Sequence, residues 1–452
     1  MQVATDAVAS WAGTRPGITG DFQTDAETHS HFWRAGADHV AALPEKPKRN
    51  PEQAHAAETI LRTGRESREA FLARHVEAVY SALTKNRTVF LRAEELVYAA
   101  AAFMPGLTPT RAEVAAQSEK TQRDKDGVEV DQGIFFAQVL AHPASGAHLC
   151  HAMLLPKSES LARRDAFAAK GALDLGTASV ARQGKATVVT LQNPRYLNAE
   201  DAGTISQTET AVDLAILDES ELCVLRGGIV GHEKYRGKRV FSTGINLTHL
   251  YHGKIPYLWY ITREMGFVNK MMRGLARPDA NPDEMYGGTI EKPWVAAVEA
   301  FAIGGGCQYL LTMDHVLAAS DAYMTLPARK EGIIPGASNM RMPRFTGDRI
   351  ARQAIMSGLR LDCDTPAGRL ICDAVVPPAE MDAALERTIA TFTDAGVVSA
   401  AGNRRAFRVA EEPLDLFRRY MAVYAREQAY CHFSPALIAN LERYWNAQQR
   451  KL

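Results

Sequence analysis

Apolar and polar positions follow two different periods along this chain, and the change of period divides it. The first third is helical in pattern. Leu72, Val76, Val79 and Leu83 fall at i, i+4, i+7 and i+11, the spacing that stacks side chains on one helix face. A second apolar run, Arg92 to Met104, is stopped by Pro105-Gly106. Thr108-Pro109 then reads as an N-cap followed by proline at the first helical position. The charged, apolar-poor stretch from Ser118 to Gly127 reads as an exposed connector or mobile loop.

Near Ala178 the pattern turns to strands. Ser179 to Ala181 and Ala186 to Leu191 predict a hairpin turning at Gln183-Gly184. A helix is expected from Asn193-Pro194 to about Leu217, then strands at Leu222–Leu225, Trp294–Val298 and His315–Ala319 with helices between them. Strands alternating with helices predict an α/β sheet. The end of the chain, Pro413 to Trp445, is again helical, with Leu416, Tyr420, Val423 and Tyr424 on one face. The expected organisation is a mainly helical N-terminal domain over residues 1–177, an α/β core over 178–389 and a helical C-terminal segment over 390–452.

Two glycine turns stand out within the core. Phe241-Ser242-Thr243-Gly244-Ile245-Asn246-Leu247 follows one strand-like run. Gly304-Gly305-Gly306-Cys307-Gln308 follows the strand that starts at Pro293 and opens a helix expected over Gln308 to Met313. A strand-to-helix glycine turn can aim a backbone N–H into a cleft, and at a helix N-terminus the dipole and the unpaired donors favour negative charge. Two such donors are what a thioester carbonyl needs when its oxygen becomes an enolate. Either turn alone would carry little.

Composition narrows the partners. The chain has 452 residues, 46% hydrophobic and 23% charged, which is soluble-globular in character and too long for one ordinary core. Lys+Arg and Asp+Glu both number 52, so the formal charge is zero and no bulk attraction to nucleic acid or a membrane surface is expected. There is no bilayer-length apolar run and no basic start followed by an apolar core, so the expected location is cytoplasmic. Cys150, Cys223, Cys307, Cys363, Cys372 and Cys431 are scattered and read as buried thiols.

His75-Val76-Glu77 has the His-x-carboxylate spacing of a non-haem iron site, but on an amphipathic helix it reads as a solvated pair. His29/His31, His148/His151 and His249/His252 lack carboxylate partners. Gly227-Gly228-Ile229-Val230-Gly231 lacks the spacing of a dinucleotide turn. Neither a metal nor an organic cofactor is expected.

Five segments in order carry a resemblance over about Ala178 to Ile389. They are Leu191-Gln192-Asn193-Pro194-Arg195-Tyr196-Leu197-Asn198-Ala199, the Gly244 turn, Lys292-Pro293-Trp294-Val295-Ala296-Ala297-Val298, the Gly305 turn, and Gly332-Ile333-Ile334-Pro335-Gly336. The chain resembles the crotonase (enoyl-CoA hydratase/isomerase) superfamily. The resemblance implies an α/β fold of repeated ββα units, here with a long N-terminal helical domain and a C-terminal helical segment. It also implies an oxyanion hole from the N–H groups of Ile245 and Gly305, and a homo-oligomer, trimer or hexamer. Hydratases of the superfamily carry glutamates at the positions of Gln308 and Ala328. An amide and a methyl group cannot act as a general base, so addition of water is not expected.

The long helical first third, Ile261-Thr262-Arg263-Glu264-Met265-Gly266 and Gln308 together are similar to a dioxygenase branch of the superfamily from glycopeptide-antibiotic biosynthesis. That similarity implies oxidation of 3,5-dihydroxyphenylacetyl-CoA by O2 to 3,5-dihydroxyphenylglyoxylate and CoA, without metal or flavin. Gln308 would meet a ring hydroxyl or the peroxide, or is a helix-end amide satisfied by backbone. Arg263 would bind a phenolate or peroxide oxygen, or forms a salt bridge at a surface or between domains. Glu200, expected at a helix start, would hold a ring hydroxyl, act as base, or serve the helix dipole. Arg195, His232, Lys238 and Arg239 are CoA-side candidates or solvated loop residues. Thr243, Gly244, Asn246, Ile303, Gly304, Gly306 and Ile334 complete the expected substrate-binding set. Acyl-CoA hydrolysis, isomerisation and binding without catalysis are the competing readings.

Overall fold

The computed structural model describes residues 2–282 and 288–452. The chain forms two compact units, one made of the chain up to Leu149 with 251–258 and 418–438, the other of 150–250, 259–417 and 439–452.

The first unit is helical. Its longest helix, Pro51–Leu83, starts where Asn50 and Gln53 exchange side-chain and backbone hydrogen bonds and Pro51 fills the first position. Leu72, Val76 and Val79 of the predicted stripe are buried, beside Phe71, whose ring meets Trp33 edge-on at 5.5 Å. Three expectations need correction here. The helix after Pro105 runs Arg111–Ser118 and its cap is Thr110, which exchanges hydrogen bonds with Glu113; Thr108 is buried and donates to the Val97 carbonyl at 2.8 Å. The stretch from Ser118 to Gly127 is not simply exposed. Gln122 and Lys125 are buried and donate at 2.7 Å to the carbonyls of His432 and Gly253, so polar composition concealed two interior anchors. His75 is not solvated either: it is 5% exposed and hydrogen-bonded at 2.7 Å to the buried Asp25.

The second unit is built on a seven-stranded sheet. Its strands are numbered β1 (Ala172–Asp174), β2 (Ala178–Gln183), β3 (Ala186–Leu191), β4 (Leu222–Gly227), β5 (Leu275–Ala276), β6 (Thr289–Ile290), β7 (Trp294–Val298), β8 (Phe301–Ile303), β9 (His315–Ala319), β10 (Tyr323–Thr325), β11 (Arg360–Asp362) and β12 (Ala374–Val376). The main sheet has the order β1-β2-β3-β4-β7-β9-β12, antiparallel through β3 and parallel beyond it. A three-stranded sheet, β11-β10-β8, and a two-stranded one, β5-β6, complete the unit. β4 and β7 are buried at every residue, as expected of parallel strands covered on both faces.

Two boundaries shift here. The helix expected from residue 194 begins only at Ile205; before it lie a turn over Pro194–Tyr196 and two left-handed residues, so Glu200 is not at a helix start. The helix expected at Gln308 begins at Gly305. At the end of the chain the helical stretch is two helices, Leu414–His432 and Pro435–Trp445. Their expected stripe is also displaced: Leu416 and Val423 are 44% and 65% exposed, while Phe417, Met421, Tyr424 and Ala425 are buried.

Candidate active site

The loop after β3 is shaped by two consecutive left-handed residues, Leu197 (φ 53°) and Asn198 (φ 56°), a conformation that side chains with a Cβ seldom adopt. Asn198 stabilises it from inside. Its side chain accepts from the Asn193 N–H at 2.9 Å and donates to the carbonyls of Gly228 and Val240 at 3.0 and 2.7 Å. The loop therefore delivers Glu200 alongside the first glycine turn, where the Glu200 N–H donates to Gly244 and the Asn246 N–H to Glu200, both at 2.7 Å. Ser242 pairs in parallel with Ala302, and the Ile303 N–H donates to Ser242 at 2.9 Å.

These bonds stitch the two glycine turns together. Gly244 has φ 73°, and a Cβ there would stand 2.5 Å from the Gly305 nitrogen. Gly306 lies as tightly on Ser242, where a Cβ would sit 2.8 Å from the carbonyl oxygen. Among the described residues, the amides of Ile245 and Gly305 carry no hydrogen bond. Gly305 opens its helix, where N–H groups have no intrahelical partner.

Beside the amides lies a buried cluster centred on Arg263, which is 3% exposed. Its Nε donates to Glu200 Oε2 at 2.5 Å and one Nη to Glu200 Oε1 at 3.1 Å and the Gly305 carbonyl at 3.2 Å. The other Nη donates to Gln308 Oε1 at 2.7 Å and Glu264 Oε2 at 3.2 Å. The guanidinium lies over the Tyr309 ring, 4.9 Å from its centroid. Burial acts to lower the Arg263 pKa, but the charges of Glu200 and Glu264 outweigh it and raise it above the usual arginine value. The Tyr309 phenol is pushed well up by burial and by the Glu200 charge. Arg263 is thus a fixed cation, and its partners cannot leave without exposing a buried charge.

Behind Arg263 the network continues. Glu264 accepts from Arg341 at 3.3 Å and from the Ala337 N–H at 3.0 Å, and Arg341 pairs with Glu412 at 2.8 and 2.9 Å. Glu412 also receives Arg273 at 3.3 Å and Arg344 at 2.7 Å. Gly336 (φ 49°) lets this region close: a Cβ there would overlap Glu264 and stand 2.8 Å from Gln308 Oε1. A π-helical turn, Glu264–Val268, follows Arg263, a departure from the α-helix that is frequent at functional sites.

The structure thus gathers Ile245, Gly305, Gln308, Arg263 and Glu200, together with Gly244, Gly304, Gly306, Ile303 and Asn246. Thr243 joins them through its hydroxyl, which donates to the carbonyls of Tyr196 and Leu197 at 3.2 and 3.3 Å. Ile334 is half-buried in the segment that ends at Gly336. Arg195, His232 and Lys238 are exposed, and Arg239 is half-buried, donating to the Gly227 carbonyl at 3.2 Å. Sequence reasoning missed Glu264, Tyr309, Arg341 and Glu412, which, apart from the adjacent pair Arg263-Glu264, meet partners far away along the chain. It also missed Glu331, which is 4% exposed and lies on the short helix Ala328–Glu331. Its carboxylate oxygens are 3.8 and 4.0 Å from where a Gly304 Cβ would be. Burial pushes the Glu331 carboxyl up to about 7.

Among the described residues, no group of three or more His, Cys, Asp or Glu side chains could hold a metal ion. No described helix is long and apolar enough to cross a membrane.

Gly305→Ala tests the geometry. The added Cβ would overlap Glu200 Oε1 and stand 2.8 Å from an Arg263 nitrogen, so the ion pair and the amide cannot both keep their places. A loss of turnover of about 100-fold or more is expected, the scale of one lost oxyanion donor. Steady-state kinetics that remain within a few-fold of wild type would remove the turn from the reacting centre.

The enoyl-CoA hydratase/isomerase family profile matches residues 181–408. A (3,5-dihydroxyphenyl)acetyl-CoA 1,2-dioxygenase of Amycolatopsis orientalis is 47% identical over 389 residues, 86% of this chain and 88% of that protein. A short-chain-enoyl-CoA hydratase of Clostridium acetobutylicum is 26% identical over 211 residues, 46% of this chain and 72% of the hydratase. The crystal structure of an enoyl-CoA hydratase/isomerase from Xanthobacter autotrophicus Py2 superposes with a TM-score of 0.50 at 19% identity, over 61% of this chain and 96% of that one. The profile spans the paired glycine turns, and the 47% relative extends the match over most of both chains, so this protein belongs to the enoyl-CoA hydratase/isomerase family.

Proposed function

We propose that this protein is a dioxygenase that converts 3,5-dihydroxyphenylacetyl-CoA and O2 to 3,5-dihydroxyphenylglyoxylate and CoA. The observation that carries the reading is the neutral Gln308 held by Arg263 beside the two unbonded amides. An enolate oxygen can be stabilised there, whereas that position lacks the carboxylate that water addition would need. The identity to the Amycolatopsis dioxygenase over most of both chains supports the same chemistry.

The thioester carbonyl accepts from Ile245 and Gly305, which acidifies the adjacent arylmethylene. Loss of one α-proton leaves its electron pair in the enolate. The enolate passes one electron to O2, and recombination forms a Cα–O bond, giving a peroxide anion. The peroxide attacks the thioester carbonyl and expels CoA thiolate. Loss of the second α-proton then forms the ketone as the O–O bond breaks, and the released oxygen remains on the carboxylate. The substrate is the reductant, and no metal, flavin or nicotinamide enters the proposal. Arg263, Gln308 and Glu200 orient the ring hydroxyls and the peroxide. Arg195, His232, Lys238 and Arg239 are assigned to CoA. A homo-oligomer, which rests on the family resemblance, and a cytoplasmic location, which rests on the apolar pattern of the sequence, belong to the same reading.

Incubation with 3,5-dihydroxyphenylacetyl-CoA in an oxygen electrode, with chelator present, is expected to show equimolar O2 uptake and free CoA. CoA release without O2 uptake would make the protein a thioesterase. Activity that is lost to chelator and restored by iron would assign a metal enzyme.

A further inference from the structure

Three carboxylates around the glycine turns are committed to cations, and a fourth, Asp201, accepts from Asn246 at 3.3 Å. Both oxygens of Glu200 accept from Arg263, Glu264 joins Arg263 and Arg341, and Glu299 makes a two-point pair with Arg226 at 2.6 and 2.8 Å. To take up a proton, each of them would have to give up such a bond. Glu331 is different. It is 4% exposed, and among the described residues its carboxylate has neither a hydrogen bond nor a cation. It lies against the open face of Gly304, the residue before the Gly305 amide, at a point where the Gly244 Cα also approaches to 3.8 Å. A buried carboxyl without a partner is costly, and such a group in a site is a functional candidate.

Resting on the dioxygenase reading, we propose that Glu331 is the general base that removes the α-proton of the thioester. The C–H bond breaks, its electron pair moves into the enolate held by Ile245 and Gly305, and the proton goes to the Glu331 carboxylate to give the neutral acid. The fold puts the base on a short rigid turn. Ala328 and Glu331, three residues apart, share one face of that helix.

The surrounding charges leave Glu331 isolated. On its own turn, Arg329 donates to the Met356 carbonyl and Lys330 lies against Gly358. The segment Gln353–Ser357, packed on that turn, has no titratable side chain, and across the glycine turn Glu200 and Arg263 face one another. The base must be ionised to act, and burial alone has moved it up to about 7. The pH profile of kcat/KM therefore has an acid limb, rising through a midpoint near 7 as Glu331 loses its proton.

The test compares wild type with Glu331→Gln and Glu331→Asp in the oxygen electrode. Binding of a non-reactive thioether analogue of the arylacetyl-CoA serves as the fold control. Glu331→Gln is expected to lose about 1,000-fold in turnover, within the range for general-base catalysis, with analogue affinity kept. Glu331→Asp should keep part of the activity with a shifted acid limb. Turnover of Glu331→Gln within threefold of wild type, or an unchanged acid limb in either variant, overturns the proposal. If Glu331→Gln does not bind the analogue, the wild-type profile and Glu331→Asp decide by the same criteria. If wild type consumes no O2, the dioxygenase reading fails separately, and α-deuterium exchange under argon decides the base. Exchange in wild type that is lost in Glu331→Gln sustains Glu331; exchange retained by the variant, or absent from wild type, overturns it.

Discussion

Arg263→Met is expected to cost about 3–5 kcal/mol of stability, the scale for removing one partner of a buried ion pair. Turnover should fall about 100- to 1,000-fold in whatever protein remains folded. The reasons are geometric. Glu200 receives both of its close donors from this one guanidinium and would be left charged and buried. Glu264 keeps Arg341 and the Ala337 N–H, so the damage should centre on Glu200. Adding Glu200→Gln should therefore recover part of the lost stability without recovering turnover. Urea denaturation of the two single variants and the double variant measures this coupling. A single-variant loss below about 1 kcal/mol would mean that water screens the pair as at a surface.

The second large effect is pH-dependent. Burial acts to raise the Glu412 pKa, yet Arg341, Arg273 and Arg344 hold it at about 2 against a usual 4.5. A carboxyl depressed on folding contributes stability that is fully present above pH 4.5 and is lost as pH falls through about 2. A difference of about 2.5 units corresponds to roughly 3 kcal/mol. Glu412→Gln should forfeit about that amount at pH 7. The gap between variant and wild type should close as both are titrated from pH 4.5 toward 2. Parallel urea midpoints across that window would show that the three arginines do not act on Glu412 in the native state.

The features legible in the sequence are those for which the backbone leaves few options. Gly244 and Gly305 were visible because a Cβ at Gly244 would collide with the opposite turn and one at Gly305 with Glu200 and Arg263, so only glycine serves. The strands β2, β3, β7 and β9 were visible because continuous or alternating apolar runs have few other uses. Glu200 was expected at a helix start, whereas it reaches the first glycine turn for a different local reason. The left-handed pair Leu197-Asn198 carries no glycine to announce it, and its stability comes from Gly228 and Val240, residues well beyond the loop. The C-terminal stripe was ambiguous because Leu416 and Phe417, like Val423 and Tyr424, are adjacent apolar residues. Which of two adjacent faces is buried depends on tertiary packing rather than on period. The Arg263–Glu264–Arg341–Glu412 chain was invisible for a related reason: beyond the adjacent pair Arg263-Glu264, its links span 77 and 71 residues of sequence. In Ala328-Arg329-Lys330-Glu331 the glutamate stands beside two basic residues, and nothing in that pattern marks it as the buried one.

The second glycine turn also carries a cysteine, Cys307, between Gly306 and Gln308, and its side chain is fully buried. Burial pushes its thiol up to about 12, so at neutral pH it stays the thiol rather than the nucleophilic thiolate. Cys223, within β4, is pushed up to about 11 in the same way. In the proposed reaction a peroxide forms at the site, and a reactive thiolate beside it would be open to stepwise sulfur oxidation. Here burial keeps this sulfur protonated, so the core itself withholds the species that peroxide would oxidise.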